Sequence, residues 1–155
     1  MPEPRSAQVR LREARPEDAE RISEISRASL GYASTPEDTA KRLASVAANP
    51  GHFLRVAEGE DGGAVGFIHA CGYETLYFDP LKYVMALAVD PAHQGRGIGK
   101  ALLTACEDWA KADGAAGVRL SSGSDRLAAH QFYLHLGYRI RKEQKSIWKV
   151  FEQRH

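Results

Sequence analysis

Residues 85–111, MALAVDPAHQGRGIGKALLTACEDWAK, restrict the fold more than any other stretch of this chain. An apolar run leads directly into three glycines on alternate positions, Gly95, Gly97 and Gly99. A helical pattern follows, with Ile98, Leu102, Cys106 and Trp109 on one stripe. The reading is strand, tight turn, helix. Successive main-chain N–H groups in such a turn form a concave anion site, reinforced by the partial positive charge of the helix N-terminus. Phosphate or pyrophosphate suits it. Two phosphate loops with defined spacing do not fit. A P-loop needs glycine where Gln94 stands and Ser or Thr where Ala101 stands, and in a dinucleotide fingerprint the third glycine comes one residue later than Gly99. A structural turn with glycines at positive φ would give the same spacing, so the turn alone leaves its tenant open.

The flanking sequence supplies the layers. VRLREA alternates as a first strand, and Pro16, Glu17 and Asp18 mark a helix start whose stripe is Ile22, Ile25 and Leu30. Thr35 and Pro36 open a second helix that Asn49-Pro50-Gly51 ends, with Asp38 placed as a capping-box acid. HFLRVAEG and AVGFIHACGYE bracket a glycine-rich loop and read as paired strands. Phe67, His69, Cys71 and Tyr73 fall on one face, and Ile68, Ala70, Gly72 and Glu74 on the other. YVMALAVD is a central strand. GVRLSSG is another, DRLAAHQFYLHLG is a helix closed by Gly137, and YRIRKEQKSIWKVF gives one or two last strands. The order β, α, α, β, β, β, α, β, α, β, β predicts an α/β mixed sheet with helices on its faces.

Composition removes some function classes. Lys and Arg number 21 against 20 Asp and Glu, a net charge of +1, which leaves no basic footprint for nucleic acid. No apolar run has the length of a membrane span and no signal peptide is evident, so the expectation is a soluble cytoplasmic protein of one domain, 1–155, with its core at about 9–150. Cys71 and Cys106 have no metal-type spacing and read as reduced, buried thiols. His130 and His135 lie five apart on a helix, off a common face, so no metal is predicted.

LAVDPAHQGRGIGKALL resembles the coenzyme-A-binding motif of the GNAT superfamily of acyl-CoA-dependent N-acetyltransferases, with Gln94, Gly97 and Gly99 at its defining positions. DRLAAHQFYLHLGYRI is similar to the second family motif, through Ala129, Tyr133, Gly137 and Tyr138. The resemblance covers roughly residues 9 to 150. It implies about four helices on a mostly antiparallel sheet splayed between strands near 83–90 and 117–123. Acetyl-CoA is the implied cosubstrate, with Gln94, Gly95, Arg96, Gly97, Ile98, Gly99 and Lys100 around the pyrophosphate. Leu87, Ala88 and Val89 would lie along the pantetheine arm and thioester, since an unpaired strand edge can pair with an amide-rich ligand.

The chemistry so implied is direct attack of a primary amine, on a small molecule or protein, through a tetrahedral oxyanion. A main-chain N–H there, that of Ala88 or a neighbour, is worth about 3 to 4 kcal/mol. Tyr133 stands at the family's general-acid position, where a phenol can protonate the departing thiolate; packing in the core is its alternative. Glu74 is the candidate base, ahead of Tyr73, Asp79 and His69, and a solvated strand-end carboxylate is its other reading. Arg126 stands where many members carry Asn and Ser121 where some carry Glu; Arg126 could pair with a coenzyme phosphate or sit on an exposed first turn. ETLYFDPLKY and SLGYAST are candidate acceptor walls, and SIWKVF could pair two copies into a homodimer or complete one sheet. A noncatalytic acyl-CoA-binding regulatory module is the competing function, and a nucleotide-binding domain of another fold the third.

Overall fold

The computed structural model describes residues 9–152. The chain divides into two compact units, one ending at Leu120 and one beginning at Ser121. The first contains a five-stranded sheet of β1 (Arg10–Glu13), β2 (His52–Glu58), β3 (Ala64–Tyr73), β4 (Leu81–Val89) and β5 (Val118–Leu120), in chain order. β1 to β4 are antiparallel neighbours. β5 runs parallel to β4, because the helix α3 (Ile98–Ala112) returns the chain between them. Helices α1 (Ala19–Ile25) and α2 (Pro36–Ala47) lie between β1 and β2 in the chain, and α4 (Leu127–His135) belongs to the second unit. The expected mixed α/β sheet with four helices is the architecture that forms.

Local chemistry sets the element ends. Pro16 opens a short 3-10 turn leading into α1, and Thr35 Oγ1 accepts the Asp38 N–H at 3.1 Å to cap α2. Gly31, at φ +76°, closes a π-helical turn that extends α1. β1 is tied to the entry of α1 by a buried ion cluster. Arg12 donates to both Asp18 oxygens at 2.7 and 2.8 Å and to Glu58 Oε1 at 2.6 Å, while the Arg15 N–H donates to Asp18 at 2.7 Å. Burial alone would raise the Asp18 pKa, but these hydrogen bonds outweigh it and hold the carboxyl below its ordinary value.

Strand alternation assigns the two faces of the sheet. On one face Val56, Phe67 and Ala88, aligned in register, pack with Ile22 and Ile25 of α1 and Leu43 of α2. The other face receives Ile98, Leu102, Leu103, Cys106 and Ala110 of α3. Gly66 permits that close approach. A Cβ there would lie 3.1 Å from the Ala88 carbonyl oxygen and 3.2 to 3.3 Å from Ile98 and Leu102. Trp109 stacks on Phe53 at 4.9 Å and carries the Lys82 ammonium 4.3 Å above its ring.

Three sequence expectations change. Residues 138–152 form no strand, and Ile147, Trp148, Val150 and Phe151 are exposed. Alternation marks a segment able to pair, but a ladder also needs a partner edge, which alternation does not supply. β5 is confined to Val118–Leu120, shorter than the expected 117–123. Cys106 is buried as expected, but Cys71 is half-buried. Among the described residues, no helix is long and apolar enough to cross a membrane, and no group of three or more His, Cys, Asp or Glu could hold a metal ion.

Candidate functional site

The site begins where β4 loses its partner. β5 pairs with β4 only at Lys82–Val118, Tyr83–Arg119 and Val84–Leu120. Residues 85–89 continue without a strand on that side among the described residues. On its other side β4 follows β3 to its end, with one register shift: His69 faces Ala86 and Ala70 faces Val84, which leaves Met85 as the extra residue of a β-bulge.

The bulge reverses the direction of the main-chain groups. Before it, the Lys82 N–H donates to the Gly117 carbonyl at 3.0 Å, on the β5 side. After it, the Asp90 N–H donates to the Val65 carbonyl at 2.8 Å, on the β3 side. Antiparallel pairs alternate, so Phe67–Ala88 and His69–Ala86 are hydrogen-bonded pairs whose N–H groups face β3. Leu87 and Val89 therefore turn their N–H groups to the open edge, and Ala88 does not. The Val89 carbonyl, on that same edge, accepts Ser29 Oγ at 2.6 Å and Gln94 Nε2 at 3.2 Å.

The open edge leads into the glycine turn. Asp90 accepts His93 Nδ1 at 2.9 Å, and a 3-10 turn over Pro91–His93 brings Gln94 to the first glycine. Gly95 and Gly97 adopt φ +80° and +81°. These values disfavour residues with a side chain, and a Cβ on Gly95 would meet nothing within 4 Å. Gly97 caps α3 without a side chain, and the first helical hydrogen bond is Ala101 N–H to the Gly97 carbonyl at 3.0 Å. The N–H groups of Ile98, Gly99 and Lys100 precede that bond and have no helical partner. Arg96 and Lys100 are exposed beside them. This cradle fits a pyrophosphate, and the edge beside it fits an amide-bearing chain.

On the sheet face shared with α1 and α2, register brings His52, His69, Cys71, Tyr73, Tyr83 and Arg119 together. His52 Nδ1 and His69 Nε2 are 2.6 Å apart, with the rings stacked at 4.9 Å. Burial, and secondarily the neighbouring His52, lowers the pKa of His69, so its imidazole is neutral at pH 7. His69 faces Ala86 across the ladder, next to Leu87. Glu74 lies exposed past the end of β3, six residues beyond Ile68, the partner of Leu87. That is roughly 20 Å of strand, too far for direct proton transfer at Leu87.

The second unit carries the remaining sequence candidates. Tyr133, on α4, packs edge-on against Phe132 at 5.1 Å and Tyr138 at 5.7 Å. Burial raises its pKa, with Arg126 acting in the opposite sense, so the phenol keeps its proton at neutral pH. Arg126 is exposed at the N-cap of α4. Sequence reasoning missed the bulge, His52 and Arg119. For Arg119 the available signal was one charge inside an otherwise apolar strand; for His52 it was the register with Cys71, which only the fold supplies.

A family model described as the acetyltransferase (GNAT) family matches residues 19–138. Among solved structures, a transcriptional regulator from Bacillus halodurans C-125 superposes with TM-score 0.81 at 22% identity, covering 92% of this chain and 100% of that one. Aminoglycoside antibiotic 6'-N-acetyltransferase AAC(6')-Ih from Acinetobacter baumannii gives 0.79 at 14%, covering 93% and 99%. AAC(6')-Iy in complex with the bisubstrate analog CoA-S-monomethyl-acetylneamine gives 0.78 at 16%, also covering 93% and 99%. No curated protein sequence matches.

Proposed function

The chain belongs to the acetyltransferase (GNAT) family, and from that premise we propose that it transfers an acetyl group from acetyl-CoA to a primary amine of a small molecule or protein. One observation carries the reading: the unpaired edge of β4 runs without a break into the glycine cradle at the start of α3. Gly95 to Lys100 would hold the pyrophosphate, and the Leu87 main-chain groups together with the Val89 N–H would pair with the pantetheine amides. The bound coenzyme supplies an activated acetyl thioester.

The chain's residues then divide the work. The Leu87 N–H, rather than that of Ala88, receives the thioester carbonyl oxygen as it gains charge. His69, neutral and one ladder position away, takes the amine proton, either directly or through a water. Its bond to His52 fixes the ring and gives the proton a second acceptor. The acid role toward the departing thiolate is assigned to Tyr133 on its phenol chemistry and motif position.

The test is thiol release from acetyl-CoA across a panel of primary amines, with coenzyme binding measured in parallel. Turnover that falls 100-fold or more in Tyr133→Phe, with binding retained, supports the reading. Tight coenzyme binding without turnover on any amine would replace it with the acyl-CoA-binding module. Equal binding of CoA, ATP and NAD would reduce the cradle to a generic anion site.

A further inference from the structure

Among the described residues, Arg119 is a cation without an anion. Its guanidinium lies 4.5 Å above the Tyr73 ring and 5.5 Å from the Tyr83 ring, and those two rings stack at 5.7 Å. Nη1 donates to the Tyr73 hydroxyl at 3.1 Å. Nε is buried with no hydrogen-bond partner, and no carboxylate lies within ion-pair distance of the side chain among the described residues. A guanidinium stays charged at any pH the protein meets, and burying part of it unpaired is costly. Two aromatic faces hold its plane in place, which prepays the ordering that an incoming ligand would otherwise impose.

The platform also has an address. Arg119 and Tyr83 are ladder partners, and Leu87 lies four positions past Tyr83, one of them taken up by the bulge. The guanidinium station is thus roughly 10 Å along β4 from the proposed oxyanion donor. Cys71 and His52 continue the ladder row of Arg119 and Tyr83, His69 lies between that row and Leu87, and this face presents no Asp or Glu from β3, β4 or β5. A polyamine reaching Leu87 across this face would meet a like charge and no carboxylate from these three strands.

We propose that the acceptor is an amine carrying a carboxylate roughly 10 Å away, the span of a tripeptide or of a lysine side chain with its own carboxyl group, and that Arg119 on its tyrosine platform binds that carboxylate. The proposal rests on the acyl-transfer reading and names the acceptor class for it. The Tyr73 hydroxyl, already turned toward Nη1, is a second donor at the same station. Placing both charges at fixed separation orients the amine toward Leu87 and His69.

The experiment compares triglycine and Nα-acetyl-lysine with their C-terminal amides, and with spermidine, in two readouts: calorimetric binding in the presence of CoA, and thiol release from acetyl-CoA. Each acid should bind at least about tenfold more tightly than its amide, the scale of one charge-assisted contact, and spermidine more weakly than either acid. Arg119→Gln should erase the difference, and Arg119→Lys restore only part of it, since an ammonium lacks the planar fork. Retained stabilisation by CoA in both variants establishes that they fold. Equal binding of acid and amide by the parent protein, or an acid preference that survives in Arg119→Gln, overturns the inference. Because the binding arm needs no turnover, an acid preference that Arg119→Gln erases, without thiol release, leaves the carboxylate station at Arg119 standing and removes the acyl-transfer reading instead.

Discussion

Arg12 has two carboxylate partners, and their removal should not be equivalent. Asp18 accepts two of the guanidinium hydrogen bonds from within the fold, and its side chain is only 6% exposed. Asp18→Ala leaves a buried cation with one carboxylate, Glu58, and the Glu13 and Gly62 carbonyls, and should cost about 3 kcal/mol in urea unfolding. Because the Asp18 pKa is held below the ordinary 3.8, its stabilisation is complete above that pH and lost as pH falls through the folded value, so parent and variant should converge in acid. His69 makes the opposite use of burial. Its pKa lies below the ordinary 6.5, so kcat/KM should hold at pH 7 and decline only as pH falls through that lowered value, where the imidazole gains a proton and can no longer accept one. The linked stability has the same sign, since below pH 6.5 the unfolded chain binds the proton first. His69→Gln should remove this acid limb and lower kcat about 100-fold. His52→Gln should move the limb to higher pH, while Glu74→Gln should leave it in place. An acid limb that persists in His69→Gln would assign the base elsewhere.

In the proposed function the strand, turn and helix at residues 85–111 act as one element, because the last strand residues and the first helical turn would share one ligand. At Gly95 the constraint is conformational, since a Cβ there would touch nothing. Gly95→Ala should therefore fold, at a cost of about 1–2 kcal/mol for left-handed backbone. Gly95→Val, β-branched, should instead flip the turn and withdraw its N–H groups, reducing acetyl-CoA affinity at least tenfold by calorimetry; unchanged affinity would mean that the turn's main chain does not bind the phosphates. This element was legible in the sequence because everything that makes it is local: three glycines, a proline turn and one helical stripe. The bulge inside it was not. Apolar residues on both faces of YVMALAV hide a change of parity, and only the β3 register reveals that Met85 is extra. Of Ala88 and its neighbours, Leu87 is the proposed oxyanion donor for that reason alone. Arg119 and the histidine pair were hidden by the same kind of non-locality, since neither β2 nor β5 announces which residues of its neighbour it will face.

At the scale of the whole molecule the sequence patterns held where pairing partners were close in the chain and failed at its far end. β2, β3 and β4 follow one another through short loops and were each read within two residues of their bounds, whereas 138–152 alternates like a strand yet pairs with none. Net charge bears on how the proposed polyanionic coenzyme would be recognised. With 21 basic and 20 acidic residues, the protein exerts little long-range attraction. Affinity must then come from short-range donors, and the cradle offers main-chain N–H groups as well as the exposed side chains of Arg96 and Lys100. Salt separates the two contributions, because screening shortens from about 8 Å at physiological ionic strength to about 3 Å at 1 M and acts most on exposed charge. Acetyl-CoA at 100 times its Kd should add about 2.7 kcal/mol of stability, a rise in Tm of roughly 5–10 °C for a chain of this size. Most of that rise should survive in 0.5 M salt (roughly 4 Å screening) if the glycine turn's main chain is the principal donor. Its collapse in salt, matched by Arg96→Gln or Lys100→Gln at low salt, would transfer the pyrophosphate to those side chains and leave the glycines a purely geometric role.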